Sequence, residues 1–207
     1  MKIKVLDSGF VELVSFMGGD DIVVRAARIS YQSKRDKKDD ARLIYGLMKR
    51  GEGGPFEHPT FTFFVRAPEV VFRHLVRYRH SSFSVQSRRY TGVTEDDLYV
   101  PDGLPDYARA QLRQTLECRQ RLLDDGLAKE DARIVLPFAT YLEFYWTLNA
   151  RSLMNVLTQR VAPSAQWETR QYAHAMLDIF KHCMPITSAA WQKIHKPKLD
   201  GAGQDGK

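Results

Sequence analysis

The sequence predicts one α+β domain with a β-sheet and a majority of helices. Three observations support that fold class. The length of 207 residues suits one domain with a real core, 43% of the residues are hydrophobic and 27% are charged, and segments with helical periodicity outnumber those typical of strands. The domain is expected to cover residues 1–196, followed by a disordered tail over 197–207.

Each element is predicted from its own local pattern. Ser8-Gly9 between two apolar stretches is typical of a hairpin turn, and Asp20 and Asp21 favour a helix N-terminus. Phenylalanines with threonines between them favour a strand, whereas Pro68 suits the first position of a helix. The expected elements are a hairpin over 1–16, helices over 20–29 and 39–49 with a charged connection 34–40 between them, a strand over 56–65, a helix over 68–79, an irregular segment over 81–90, and helices over 105–125, 129–135, 140–160 and 164–183.

Cysteine usage and apolar patterning limit the classes of function. Cys118 and Cys183 are too few for a disulfide framework or a zinc site, so we expect a reducing, cytoplasmic setting and no metal. No apolar run approaches the roughly 20 residues of a membrane-spanning helix, and the first residues lack the apolar core of a signal peptide. We therefore expect no membrane partner.

The formal net charge of +6 is concentrated in two segments rich in arginine. Residues 69–90 hold five arginines and one glutamate, and residues 133–170 hold four arginines and two glutamates. The planar guanidinium suits phosphate and carboxylate groups, so an anionic ligand is the leading hypothesis.

Residues 77–90 place two pairs of arginines on either side of a turn rich in hydroxyl groups. Each charge-assisted hydrogen bond from such donors contributes about 1.5–3 kcal/mol, so three of them would hold a phosphate firmly. Two alternatives stay open at this point. The arginines could simply stabilise a helix C-terminus and be solvated, or they could bind RNA or DNA together with the rings of Tyr78, Phe83 and Tyr90.

The predicted helix over 140–160 contains a second group of arginines and asparagines. Arg151 and Arg160 are nine positions apart and point to opposite faces, with Asn149 beside Arg160 and Asn155 beside Arg151. A buried, unpaired guanidinium is costly. Either one face is solvated, or both faces meet anionic partners.

Residues 77–90 resemble the signature of the flavin-dependent thymidylate synthases, Arg-His-Arg-x-x-Ser-x-Asn-x-x-Ser-x-Arg-Tyr. Tyr78 stands in the place of His and Ser84 in the place of Asn, whereas Val85 stands where many members have an acidic residue that bridges both ligands. Further stretches that resemble the family occur in its order: Val11-Glu12-Leu13, Arg25-Ala26-Ala27-Arg28, Pro55-Phe56-Glu57-His58, Ala132-Arg133-Ile134-Val135-Leu136-Pro137, Asn149-Ala150-Arg151-Ser152-Leu153 and Ala165-Gln166-Trp167-Glu168.

The resemblance implies a homotetramer that converts dUMP to dTMP, with methylenetetrahydrofolate as carbon donor and FAD carrying a hydride supplied by NADPH. Arg160 would lie near the uracil ring and favour ionisation of N3, and Ser87 remains a weaker candidate for a nucleophile. The residues implied to bind dUMP are His74, Arg77, Ser87, Arg88, Arg89, Arg133 and Arg160. The residues implied to bind FAD are Gly54 (through its backbone), Arg77, Tyr78, Arg79, Asn149, Arg151 and Asn155.

Other types of catalysis find little support in the sequence. Neither cysteine lies within an arginine cluster, so a cysteine nucleophile has no obvious carrier. There is no G-x-G-x-x-G motif, so FAD would not bind to a Rossmann unit, and the resemblance implies an arginine and asparagine cradle between subunits instead. The alternative function is a basic RNA- or nucleotide-binding module without catalytic activity.

Overall fold

The central sheet brings together strands that are far apart in the sequence. The computed structural model describes residues 1–29 and 40–200, and its five strands are antiparallel in the order β1-β2-β3-β5-β4. The strands are β1 Lys2–Val5, β2 Gly9–Met17, β3 Thr60–Pro68, β4 Ser81–Val85 and β5 Tyr141–Asn149. The helices are α1 Asp20–Arg28, α2 Asp40–Arg50, α3 Glu69–Leu75, α4 Asp106–Asp124, α5 Lys129–Ala132, α6 Ala150–Arg160, α7 Trp167–Cys183 and α8 Pro185–Asp200, with short 3-10 helices at Gly54–Glu57, Glu95–Asp97 and Arg133–Val135. The α+β class and the N-terminal hairpin are confirmed.

One face of the sheet forms the core because the strands alternate buried and less buried residues. Phe63 of β3 lies opposite Trp146 of β5, and both side chains are fully buried. Helices α3, α6 and α7 pack against the strands on this side, and Tyr172 of α7 donates a hydrogen bond of 2.8 Å to the carbonyl of Arg66. The sheet and these helices fix the positions of the ends of β4 and β5 relative to each other.

The opposite face of the sheet has a row of aromatic rings. Phe10, Phe64 and Tyr145 lie on neighbouring strands, with ring centroids 5.4 Å and 4.9 Å apart. Tyr145 is 47% exposed, whereas its neighbours Phe144 and Trp146 are buried. This row therefore remains partly open to solvent in the single chain.

The predicted helix over 140–160 is wrong in its first half, where the chain forms β5. Leu142, Phe144, Trp146 and Leu148 are buried in strict alternation, and nine registered pairs with β3 satisfy the backbone. Asn149 then caps α6, since its side-chain oxygen accepts a hydrogen bond of 2.9 Å from the Ser152 amide. The helix begins where the strand ends.

Several other boundaries differ from the predictions because tertiary contacts set them. The expected helix over 68–79 ends at Leu75, and residues 81–85, expected to be irregular, form β4 because they pair with β5. The predicted strand over 56–65 lies at β3, after a 3-10 helix, and α7 has Gln166 rather than Ser164 at its N-cap. Residues 34–39 of the predicted connection lie outside the described residues.

Helix α8 was not predicted, because Pro185 suggested an end to the chain's helical structure. Proline instead occupies the first position of a new helix, where it has no amide to satisfy. The carboxylate of Asp20 accepts hydrogen bonds of 2.9 Å from the amides of Ile186 and Thr187. Because α8 continues to Asp200, the predicted boundary after residue 196 falls inside it. Among the described residues, none of the helices is both long and apolar enough to cross a membrane.

Candidate active site

Helix α6 separates two groups of polar side chains. At its start, Nη1 of Arg151 lies 2.5 Å from Oε1 of Glu57. At its end, Nη2 of Arg160 donates a hydrogen bond of 3.4 Å to the carbonyl of His74. The two arginine side chains therefore lie in different polar neighbourhoods, as their nine-residue spacing predicts.

The Arg151 cavity, as we call it, has a volume of about 430 Å³, within the range of small-molecule sites. Its lining residues are Glu57, His80, Asn149, Arg151, Ser152 and Asn155. Asn149 was predicted to lie beside Arg160, which is wrong because it belongs to the strand end and not to the helix. The structure thus groups all three FAD-binding candidates of this segment around one space.

Gly53 leaves room for the Arg151 side chain beside this cavity. A Cβ atom added to Gly53 would lie 2.6 Å from Nε of Arg151, whereas one added to Gly54 would meet nothing within 4 Å. Gly53 therefore permits the close approach of the guanidinium. The sequence analysis missed this role, as it missed that of Glu57, although Glu57 stands in one of the stretches that resemble the family.

The Arg160 cluster, comprising Arg160, His74, Thr169 and Tyr78, is more enclosed. Nδ1 of His74 lies 2.8 Å from the Thr169 hydroxyl, and the Arg160 guanidinium lies 5.5 Å from the centre of the Tyr78 ring. Burial, followed by the charge of Arg160, lowers the pKa of His74 below its ordinary value, so the imidazole is neutral near pH 7. Nε of Arg160 is buried and has no hydrogen-bond partner among the described residues.

Tyr78 does not line the Arg151 cavity but lies inside the protein. Its side chain is 8% exposed, and its hydroxyl donates a hydrogen bond of 3.2 Å to Oε1 of Gln159. Burial raises the pKa of this phenol. Tyr78 therefore connects α6 to the segment that contains the signature motif.

Arg88 is bound within the protein and supports its own loop. Its guanidinium donates to the carbonyls of Gly92 and Tyr141 and lies 3.8 Å from Asp97, and only 12% of the side chain is exposed. Burial lowers the pKa of this guanidinium, and Asp97 opposes that shift. Asp97 also binds Arg66 of β3 at 3.0 Å. Arg88 thus ties the loop after β4 to the sheet.

Arg89 and Arg133 converge on Glu130, although 44 positions separate them. The Arg89 guanidinium forms an ion pair with the Glu130 carboxylate, and Nε of Arg133 donates a hydrogen bond of 3.2 Å to the Glu130 carbonyl. The Ser87 hydroxyl accepts a hydrogen bond of 3.4 Å from the Arg89 amide. These three candidates therefore belong to one group, the Glu130 cluster.

A second cavity of about 430 Å³ adjoins this cluster and contains cationic and apolar groups. Arg73, Arg88 and Arg133 contribute charge, while Ile134 and Phe138 contribute apolar surface. Thr140 also lines it, and its hydroxyl is buried without a hydrogen-bond partner in the described part of the chain. We call it the Arg133 cavity.

The remaining candidates and the cysteines lie apart from these groups. Arg77 and Arg79 are exposed and form no ion pair with any residue that the structure describes. Cys118 is exposed on α4, whereas Cys183 is partly buried at the end of α7, where burial raises the pKa of its thiol. Neither cysteine lines the Arg151 cavity or the Arg133 cavity.

An α+β domain in which separate cavities are lined by arginines is suited to the class of proteins that bind anionic ligands. Comparison with known proteins narrows the class. The family model described as thymidylate synthase complementing protein matches residues 12–186. The chain is 42% identical to the flavin-dependent thymidylate synthase of Thermotoga neapolitana over 205 residues, which cover 93% of this chain and 95% of that one. For the enzyme of the same description in Thermosipho africanus, the identity is 40% and the coverage 94% and 95%.

A solved structure agrees with the sequence relatives. The UMP/dUMP methylase PolB from Streptomyces cacaoi, bound with 5-Br dUMP, is similar with a TM-score of 0.83 at 34% identity, covering 92% of this chain and 97% of that one. The chain belongs to the family of flavin-dependent thymidylate synthases.

Proposed function

We propose that this enzyme converts dUMP to dTMP by reductive methylation, with methylenetetrahydrofolate as carbon donor and a hydride delivered through FAD from NADPH. The observation that supports it most directly is the arrangement of α6, which has Arg160 and Arg151 in two different polar neighbourhoods. An enzyme that combines a nucleotide with a second anionic cofactor needs two such neighbourhoods. The structural relative PolB is described as bound with 5-Br dUMP, which supports the choice of nucleotide.

For dUMP, we propose that Ser87, Arg89 and Arg133 bind the phosphate. The support is that Arg89 forms an ion pair with the Glu130 carboxylate, that Arg133 donates to the Glu130 carbonyl, and that the Ser87 hydroxyl lies beside the Arg89 amide. His74, Arg77 and Arg160 would contact the sugar and the uracil ring. Arg88 stays a proposed ligand as well, since it lines the neighbouring Arg133 cavity although its guanidinium also donates to the carbonyls of Gly92 and Tyr141.

Arg160 would stabilise negative charge that develops on the uracil ring. Its guanidinium is held by the His74 carbonyl and the Tyr78 ring, so its positive charge is fixed in place before the substrate binds. Ser87 remains a ligand in this proposal, since its hydroxyl accepts from the Arg89 amide and, among the described residues, no basic side chain is hydrogen-bonded to it.

The residues of the Arg151 cavity fit an anionic, hydrogen-bonding cofactor such as FAD. Arg151 supplies a charged donor, Asn149 and Asn155 supply amides, and the absence of a side chain at Gly53 lets the guanidinium lie against the backbone. When bound, the reduced flavin would supply the hydride. The protein would hold and orient the flavin. Further contacts to it are proposed from the resemblance to the family, by Arg77, Tyr78, Arg79 and the backbone of Gly54.

We also propose a homotetramer in which neighbouring subunits complete the sites. Two observations support it: Arg77 and Arg79 have no ion-pair partner in the described chain, and the aromatic row of Phe10, Phe64 and Tyr145 is partly open. Light scattering coupled to gel filtration tests this assembly. Four chains of 23.8 kDa give about 95 kDa, and a monomer would contradict the proposal.

The visible spectrum tests the proposed function. The purified protein, or the protein incubated with FAD, should be yellow and should lose that colour when NADPH is added without oxygen. Arg160→Ala should reduce dTMP formation by about 100- to 1,000-fold, as the loss of one fixed donor to a developing anion does, while flavin stays bound. Arg121→Ala, on the exposed surface of α4, serves as a matched control. A colourless protein that takes up no FAD but binds RNA in a salt-dependent way would instead identify a nucleic-acid-binding module.

A further inference from the structure

Three side chains connect the Arg160 cluster to the Arg151 cavity. The Tyr78 hydroxyl donates to Oε1 of Gln159 at 3.2 Å, and Nε2 of Gln159 donates to Oδ1 of Asn155 at 3.0 Å. Arg160 lies over the ring of Tyr78, and Asn155 lines the cavity. A continuous chain of hydrogen bonds therefore links the two neighbourhoods across the surface of α6.

This chain of hydrogen bonds runs from Tyr78 to Asn155. A tyrosine hydroxyl has one proton, and here it is given to the amide oxygen of Gln159, which leaves the amide nitrogen of Gln159 facing Asn155. The oxygen of Asn155 is thereby occupied. The group that Asn155 can still offer to a ligand in the cavity is its NH₂ donor.

We propose that Tyr78 is a positioning residue that, through Gln159, makes Asn155 present a hydrogen-bond donor to an acceptor atom of the flavin cofactor. This inference rests on the proposed function, since it assigns the Arg151 cavity to FAD. It also accounts for the departure from the signature at this position: the residue that replaces histidine is buried and has a matching amide partner, Gln159, 81 positions further along the chain.

The first test separates the hydroxyl from the ring. Tyr78→Phe removes the donor to Gln159 but keeps the ring beneath Arg160. The dissociation constant for FAD, measured by fluorescence titration, should rise about three- to tenfold, which corresponds to one lost hydrogen bond. The KM for dUMP should change less than this constant, since the ring that lies beneath Arg160 is kept. Tyr78→Leu, which also removes the ring, should raise both constants.

The second test reverses the direction of the chain. Gln159→Glu still accepts from Tyr78 but no longer donates to Asn155, so the Asn155 amide turns and presents its oxygen to the cavity. FAD affinity should fall by about tenfold or more, because one acceptor then faces another, as in an unsatisfied buried group. The temperature of unfolding should be unchanged, since Gln159 is exposed. Gln114→Glu adds the same charge at an exposed position of α4 and should bind FAD like the parent.

The outcomes distinguish this inference from the proposed function. If the parent protein binds FAD and both Tyr78→Phe and Gln159→Glu bind it equally well, the positioning role is overturned and the proposed function stands. If the parent does not bind FAD, both fail. Should Tyr78→Phe not fold, Gln159→Glu at its exposed position decides the matter alone: weakened FAD binding supports the positioning role, and unchanged binding overturns it.

Discussion

Arg89 forms an ion pair with Glu130 in the absence of substrate. Removing the negative charge of Glu130 should therefore tighten the binding of dUMP. In Glu130→Gln, the ion pair with Arg89 is lost, while the backbone carbonyl that accepts from Arg133 is kept. Both side chains of the pair are about half exposed, at 49% and 47%, so the pair belongs to the surface class that contributes about 0.2–1 kcal/mol. A phosphate that no longer displaces this pair should bind about 1.4- to 5-fold more tightly.

Isothermal titration of the FAD-loaded protein with dUMP measures this gain directly. The difference between Glu130→Gln and the parent should be largest at low ionic strength, since salt screens a half-exposed pair. Glu12→Gln is the matched control, because it removes a similarly exposed ion pair, with Lys2, in the N-terminal hairpin. An unchanged or weaker affinity in Glu130→Gln would refute the view that Arg89 binds the substrate phosphate.

Three further predictions concern the scaffold around the site. Asn149→Ala removes the cap of α6 and should lower the free energy of unfolding by about 1 kcal/mol in urea titrations, and it should also weaken FAD binding. Asp20→Ala leaves the first amides of α8 without their acceptor and should cost about 0.5–2 kcal/mol, with an unchanged denaturant slope. Folding lowers the pKa of His74, so the unfolded chain binds the proton more readily than the folded protein. The free energy of unfolding should therefore decrease as the pH falls below about 6.5, the ordinary pKa of histidine. In His74→Gln, the temperature of unfolding should decrease less as the pH falls. The decrease that remains is expected to come from His174, whose pKa is also lowered.

The sequence predicts those elements that local chemistry determines and fails where pairing between distant segments decides. Helices with clear ends, such as α4, lie where expected. The failure at β5 is instructive, since Phe144, Tyr145 and Trp146 are apolar or aromatic in succession and suit either a strand or a buried helix. The segment forms a strand because it pairs with β3 on one side and β4 on the other, and these partners are distant in the sequence.

The candidate site shows the same division. The signature motif and the arginine clusters identify the residues, but not which of them lie together. Arg89 meets Arg133 at Glu130, and Tyr78 meets Gln159, through contacts that span 41 and 81 positions in the chain. No local pattern of residues predicts such pairs. Glu130 and Gln159 consequently had no signal of their own in the sequence.

The junction at Asn149, where a fully paired strand turns directly into α6, also restricts how the chain can change over evolutionary time. Strand β5 is held in register on both sides, so α6 is anchored at its first turn. Inserting or deleting a single residue between Arg151 and Arg160 would rotate one of them by about 100° relative to the other and move it by about 1.5 Å. Changes in length should therefore be tolerated in the connecting loops, whereas this helix should keep its number of residues among functional relatives.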